Sequence, residues 1–267
     1  MPKNKNLESG RRSSQQSTFN RFAERIKDAA FLLGRVRNIS DVILHLNADR
    51  YVRWSLRNGA SFCVQAGSSD MLAVREVILR NVYPLLRSHY GLVVDIGAHI
   101  GTFAARICTK ADRVVAFEPT VRNFSMLDSY LRTPLNNVER HKLAVTGDGR
   151  NVRINIHPNN TGQHSIFQHS VPALRVEEVA SISSANLLTF LKADEIDLLK
   201  IDVEGSEHEI CSAAPNLLLK TREIIIEANA TDVDHTPGFI AALLQTAGFK
   251  LSLVMGNHQQ SVFHGIR

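Results

Sequence analysis

The stretch from Leu92 to Gly101, LVVDIGAHIG, limits what this chain can fold into more than any other. A short apolar run ends on Asp95, and two glycines follow in the spacing D-x-G-x-x-x-G. That order predicts a buried strand, a tight loop at its carboxyl end and a helix opening near Gly101. Such a loop aims backbone N–H groups and a helix N-terminus at whatever lies beyond the strand. Gly97 and Gly101 carry no Cβ, so the backbone there can approach a ligand or a neighbouring element closely. Taken alone, the pattern suits a ligand site and a purely structural turn equally well.

The surrounding sequence sets the fold class. From Leu92 onward, apolar strands are predicted at 92–96, 113–117, 138–145, 197–201, 222–227, 250–255 and 260–266, with an extra strand at 152–156. Helical patterns fall between them at 102–110, 121–132, 184–192, 206–214 and 237–248. Strands and helices that alternate in this way imply an α/β, Rossmann-like fold: a seven-stranded, mostly parallel sheet with helices on both faces. Gly256-Asn257-His258 is too short for a crossover, so the last two strands form an antiparallel C-terminal hairpin.

Upstream lies a helical and β-hairpin extension. Residues 1–17 are polar and rich in Ser, Gln, Asn and Arg, the composition of a disordered basic tail. From Thr18 a helical pattern places Phe19, Phe22, Ile26, Ala30 and Leu33 on one face, and Ser40 is read as the N-cap of a second short helix. Tyr51–Leu56 and Ser61–Gln65 flank Arg57-Asn58-Gly59-Ala60, a hairpin signal. Ser69 or Asp70 then caps a helix that ends before Pro84. The expected organisation is a tail at 1–17, an extension at 18–90 and an α/β domain at 91–267.

Charge and cysteine content exclude several classes. Residues 1–50 hold 10 Lys/Arg against 5 Asp/Glu, which equals the net +5 of all 267 residues. The remainder is therefore neutral, with no basic stripe interleaved with aromatics, and no nucleic-acid partner is expected. The basic amphipathic helix can pack on its own domain or make peripheral contact with an anionic membrane. Cys63, Cys108 and Cys211 stand far apart, which argues against a disulfide framework or a structural zinc and fits a reducing, cytoplasmic setting. No apolar run approaches the roughly 20 residues of a membrane span, and no secretory h-region is evident. No closely spaced His pair marks a transition-metal site; Asp202, Glu204 and Glu227 are hard oxygen donors at neighbouring strand ends that would suit Mg or Mn, but no metal ligands are assigned.

Three stretches carry chemistry. Glu118 ends the strand in VVAFEP, 23 residues after Asp95. An acidic residue about 20 residues beyond a glycine loop accepts hydrogen bonds from ribose hydroxyls in nucleotide-binding α/β folds. Asp95 stands where a pyrophosphate binder would suffer repulsion, but a carboxylate there suits a cationic ligand. Two carboxylates around a glycine loop match the ammonium, sulfonium and ribose of S-adenosylmethionine better than NAD. The third stretch, LLKIDVEGSEHE from Leu198 to Glu209, ends a buried strand in Asp202 and Glu204, where open α/β sheets place their ligands. Crowded carboxylates raise one another's pKa, which suits a general base. Asp202 is the first candidate, with Glu204 and His164 behind it. Glu207 and Glu209 are read as partners of a helix dipole. His164 lies in a long loop, 157–174, able to close over a substrate.

DIGAHIG, AFEP, NVERHKLAV, Asn160-Thr161-Gly162, LLKIDVEG and EIIIEA, with the lead-in SSDMLAVREVILRNVY, resemble the FkbM-type S-adenosylmethionine-dependent methyltransferases over roughly residues 52–266. The resemblance implies a class I methyltransferase fold and S-adenosyl-L-methionine as cofactor. It implies that Asp95, Gly97, Ala98, His99 and Gly101 line the methionine and adenosine end, that Glu118 holds the ribose, and that Asn123 and Ala144 lie at the cofactor edge. Asp202 would sit by the reactive methyl and Glu204 near the substrate. The family usually has Asn where this chain has His99. Its members are similar to O-methyltransferases of sugar or polyketide hydroxyls, so a small-molecule, glycan or glycolipid hydroxyl is the expected acceptor. Two other readings remain: an NAD-dependent oxidoreductase, disfavoured by the missing G-x-G-x-x-G, and a non-catalytic methyltransferase-like binding protein.

Overall fold

A computed structural model describes residues 31–45, 50–167 and 172–267. The expected tail at 1–17 and most of the amphipathic helix, with its membrane contact, lie outside these residues. The chain first forms a helical segment at 31–35, then α1 (Ile39–His45), β1 (Tyr51–Ser55), β2 (Ser61–Gln65) and α2 (Asp70–Ala73). A wide helical stretch, Val74–Arg80, continues α2. There follow β3 (Tyr90–Ile96), α3 (Thr102–Ile107), β4 (Ala111–Phe117), α4 (Val121–Tyr130), β5 (Val138–His141), β6 (Ala144–Thr146), β7 (Val152–Ile156), β8 (Arg175–Val179) and β9 (Ser181–Ser183). The chain ends with α5 (Leu187–Leu191), β10 (Ile196–Ile201), α6 (Glu207–Ala213), α7 (Pro215–Leu219), β11 (Thr221–Asn229), α8 (Pro237–Thr246), β12 (Lys250–Gly256) and β13 (Gln260–Ile266).

Seven strands form the main sheet in the order β12-β13-β11-β10-β3-β4-β5. Its β5–β4–β3–β10–β11 pairs are parallel, and β13 runs antiparallel to both β11 and β12. Successive side chains of a strand point to opposite faces. Val93, Val114, Leu198 and Ile225 accordingly join one core, while Val94, Val115, Leu199 and Ile226 join the other. The hairpin β1–β2 contributes Val52, Trp54 and Phe62 to the first of these cores, so the extension shares the sheet's own interior. β3 is the switch point, with β4 on one side and β10 on the other. Open sheets hold their ligands outside the carboxyl ends of the strands at such a point.

Several local expectations change. The strand expected over 138–145 breaks into β5 and β6, and β6 leaves the main sheet to pair with β9. α7, β8 and β9 were not foreseen; the β7–β8 ribbon is an added antiparallel pair outside the main sheet. Leu33, placed on the apolar face, is exposed, and Leu32 and Val36 point inward instead. Ser40 lies inside α1 rather than at its cap. Asp70 does not cap α2: its carboxylate is buried, accepts the Gln65 N–H and pairs with Arg122. Cys63, Cys108 and Cys211 are buried free thiols. Among the described residues, no helix is long and apolar enough to cross a membrane.

Candidate active site

The carboxyl ends of β3, β4, β10 and β11 open into one cleft of about 260 Å3. Its floor is the loop after β3. Gly97 has φ +81°, and a Cβ there would lie 1.7 Å from the Asp202 carbonyl oxygen. Glycine is therefore required so that the loop of β3 can lie against the end of β10. The Gly97 and Ala98 N–H groups donate to the Phe117 carbonyl at 3.0 and 2.9 Å, which ties the loop to β4 as well.

Glu118 stands on the cleft wall at the end of β4. Its carboxylate accepts the Thr120 N–H and hydroxyl on one oxygen and the His99 N–H on the other. Burial nevertheless pushes its pKa up to about 7, against those hydrogen bonds. Phe117, Leu143, Ala144, Val145 and Ile154 supply an apolar flank beside it.

The roof is the segment around Asn160-Thr161-Gly162. Thr161 fastens it: its hydroxyl donates to Asp70 Oδ1 at 2.7 Å, its N–H donates to Ser69 Oγ, and its carbonyl accepts the Asn123 amide at 2.9 Å. Since that hydroxyl hydrogen goes to Asp70, the 3.1 Å contact with His99 Nε2 makes His99 the donor. His99 Nδ1 then carries a lone pair, buried and without a partner. Burial first, and Arg122 and Lys200 after it, drive the His99 pKa down to about 4, so the ring is neutral. The residue itself has φ +53°.

At the far end lies a polar cluster. Tyr83 Oη is 2.9 Å from both Asp202 Oδ2 and Glu227 Oε2. Lys200 Nζ is 3.4 Å from Asp202 Oδ2 and donates to the Gly97 carbonyl at 2.7 Å. Glu204, in the left-handed region at φ +57°, borders the same space, with its carbonyl held by the Ser165 hydroxyl at 2.6 Å. Burial, then the charge of Asp202, raises the Glu204 pKa well above the carboxylate range. That shift favours the neutral form of Glu204 and makes it a weaker candidate for the base than Asp202.

The structure brings Gly97, Ala98, His99, Glu118, Asn123, Ala144, His164, Asp202 and Glu204 to this one cleft. Asp95 and Gly101 are corrections. Asp95 is absent from the wall: it is fully buried, with Lys200 Nζ 3.2 Å from Oδ1. Asp95 and Lys200 face each other in the β3–β10 register, and paired residues project to the same face of a sheet. Gly101 serves packing, because a Cβ there would meet Leu127 Cδ1 at 2.7 Å. His164 is also revised. Its Nδ1 accepts the His157 N–H at 3.1 Å, so the ring proton sits on Nε2 and no lone pair remains to take a proton. Burial, then His99, presses its pKa down to about 4. Glu207 accepts the Val203 and Gly205 N–H groups and so braces the turn after β10, while Glu209 pairs with Arg150. Sequence reasoning passed over Tyr83, Lys200 and Thr161, and gave Glu227 no place among the site residues. Among the described residues, no group of three or more His, Cys, Asp or Glu is arranged to hold a metal ion.

Residues 95–251 match the model of the methyltransferase FkbM domain, more than half of the chain. The chain belongs to the FkbM methyltransferase family. It is a methyltransferase by that membership, and the seven-stranded sheet is the class I methyltransferase arrangement. The hexuronic acid methyltransferase AglP of Haloferax volcanii is 26% identical over 174 residues, covering 65% of this chain and 69% of that protein. An FkbM methyltransferase of Methylobacillus flagellatus, known as a crystal structure, has 18% identity and a TM-score of 0.45. That similarity covers 68% of this chain but only 45% of the Methylobacillus protein. An rRNA methylase of Streptococcus thermophilus has 13% identity and a TM-score of 0.42, covering 72% of this chain and 96% of its own.

Proposed function

We propose that this FkbM methyltransferase uses S-adenosylmethionine to methylate a hydroxyl oxygen of a sugar, glycolipid or polyketide-type acceptor. One observation carries the reading: a carboxyl base candidate, Asp202, stands in the same cleft as the glycine loop and Glu118. The residues present fit the cofactor. The unpartnered lone pair of His99 Nδ1 suits an amino group, the Glu118 carboxylate suits ribose hydroxyls, and the apolar flank of Phe117, Ala144 and Ile154 suits adenine. Asp95, which the sequence reading placed beside the cofactor, acts instead through Lys200.

S-adenosylmethionine supplies a methyl group already activated by the sulfonium. The protein's tasks are to position the acceptor oxygen in line with that methyl and to take the acceptor proton. Tyr83 and Lys200 both address Oδ2 of Asp202, which leaves Oδ1 to receive the proton. When bound, S-adenosylmethionine would supply the methyl carbon for the new C–O bond and would keep the C–S electron pair on its sulfur as the leaving group. Asp202 ends the step as a carboxylic acid.

Charge favours a hydroxyl over a carboxylate acceptor. Among the described residues, Lys200 is the one Lys or Arg lining the cleft, and it is already committed to Asp95, Asp202 and the Gly97 carbonyl. An acceptor carboxylate would have to compete with Asp202 for Lys200, with no second Lys or Arg in the described lining to receive it. The test is transfer of labelled methyl from S-adenosylmethionine to a panel of neutral hexosides and hexuronic acids. The expected product gains one methylene and resists alkali, as an ether does. A label released by mild alkali, as from a methyl ester, would overturn the hydroxyl reading.

Cofactor affinity should depend on pH through Glu118. Its proton must leave before Oε2, which already accepts the His99 N–H, can also accept a ribose hydroxyl. With a pKa of about 7 in the free protein, affinity rises as pH climbs through 7. Between pH 6 and pH 8 the ionised fraction grows about tenfold, and affinity should follow. Calorimetry across that range measures it; Glu118→Gln should be weaker and lack this rise.

A further inference from the structure

The Tyr83 hydroxyl has one hydrogen and two carboxyl neighbours, each at 2.9 Å. It can donate to one of them only. The other contact is a hydrogen bond only if that carboxyl carries a proton and donates to the phenol oxygen. Two protons are therefore shared among three groups. We propose that Glu227 holds the second proton, so that the chain runs from Glu227 through Tyr83 to Asp202 and leaves Asp202 as the carboxylate of the pair. Tyr83 and Glu227 are then positioning residues, which fix where the negative charge of the site resides.

The surroundings break the symmetry between the two acids. Lys200 lies 3.4 Å from Asp202 Oδ2, while among the described residues no ion pair to Glu227 is formed. The cation thus stabilises the charge on Asp202. Glu227 Oε1 accepts the Gln260 amide, so Oε2 is the oxygen left to carry hydrogen toward Tyr83. Tyr83 itself is held edge-on to Phe103, with ring centroids 6.0 Å apart, and Lys200 Nζ lies 5.5 Å from its ring centre. The phenol keeps its proton, because burial and the two acids push its pKa well above the usual value. Glu76 from the wide helix and Glu204 from the turn after β10 line the same cleft as Glu227. Burial first, and Asp202 next, raise Glu227 to about 8, with Glu76 adding to the rise and Tyr83 and Lys200 opposing it. All the acidic neighbours act in the direction of a neutral Glu227.

The arrangement has a functional consequence, which rests on Asp202 being the base of the methyl transfer. A bond donated by a neutral chain keeps Asp202 ionised among three other acids. Loss of the Glu227 proton would turn the Tyr83 bond toward Glu227 and place a second charge beside the acceptor. Activity should therefore fall above about pH 8.

Infrared difference spectroscopy of the full chain, without cofactor or acceptor, tests the assignment. The wild-type minus Glu227→Gln spectrum at pH 7 should contain the carbonyl stretch of a neutral carboxyl, vanishing with a midpoint near pH 8. The wild-type minus Asp202→Asn spectrum should lose a carboxylate pair of bands instead. Glu227→Gln keeps an N–H donor toward Tyr83 but has no proton to lose, so once an acceptor is found from the hexoside panel the alkaline fall in turnover seen in the wild type should be absent from this variant, whatever its turnover at pH 7. If Glu227→Gln folds poorly, Tyr83→Phe should shift the same neutral-carboxyl band by removing its acceptor. A neutral carboxyl that disappears in Asp202→Asn and not in Glu227→Gln would overturn the proposal, as would a band unmoved in Tyr83→Phe. Failure to bind S-adenosylmethionine would instead remove the methyl-transfer reading and leave the infrared result standing.

Discussion

Asp202→Asn should lower methyl transfer by about 10²–10⁴ while leaving affinity for S-adenosylmethionine within about tenfold. The side chain keeps its shape and its place at the end of β10 but loses the ability to take a proton. Lys200 retains Asp95 and the Gly97 carbonyl, so the glycine loop stays in position. The two readouts therefore separate. A general base acts on turnover, whereas the carboxylate assigned to cofactor binding is Glu118, on the other side of the cleft. Equal losses in turnover and cofactor affinity would make Asp202 a binding residue. Normal turnover would exclude it as the base.

The second large effect falls on the fold. Gly97→Ala puts a methyl group 1.7 Å from the Asp202 carbonyl oxygen and 2.8 Å from its carbon, at φ +81°. The obstacle is backbone, which no rotamer change can relieve. Either the loop leaves β10 or the end of β10 moves, and both break the Asp202 N–H bond to the Ile96 carbonyl at 3.0 Å. A destabilisation of about 4 kcal/mol or more is expected, among the largest single-residue effects. For a chain of this size that corresponds to a drop in Tm of about 8–16 °C. Thermal unfolding followed by circular dichroism measures it. Gly162→Ala is the control: its new Cβ would touch only Asn160 Oδ1, at 3.4 Å, and the midpoint should barely move.

The sheet was legible because its strands are buried on both faces. Runs such as LVVDI, RVVAF and LLKID are apolar almost throughout, and their spacing left room for helices between them. The break of the expected strand at 138–145 was not legible, since no Gly or Pro interrupts the polar run Glu139–Lys142 between Val138 and Leu143, while the pairing partner changes from β4 to β9. The half of the site built from one loop, Gly97 to His99, and from the end of β4 could be read locally, because strand and ligand residues are contiguous there.

The other half depends on contacts between distant positions. Tyr83 meets Asp202 across 119 residues and Glu227 across 144, and nothing near NVYP announces either partner. Lys200 did leave a signal: a lone cation inside LLKID needs a buried anion beside it. Its partner is Asp95, in register on the next strand. Asp95 was misjudged for the same reason, because a carboxylate at a strand end looks free until the neighbouring strand is placed. His99 now has a defined part, donating to Thr161 at the roof and keeping a buried lone pair without a partner on Nδ1.

The account stands or falls on whether this cleft binds S-adenosylmethionine. The direct measurement is calorimetric titration of the full chain with S-adenosylmethionine, with NAD as the control, for wild type and Glu118→Gln at pH 8. The expected result is one-to-one binding of S-adenosylmethionine to the wild type, no binding of NAD, and affinity reduced at least tenfold in Glu118→Gln. Absence of binding by the folded wild-type protein, or equal affinity in Glu118→Gln, would contradict it.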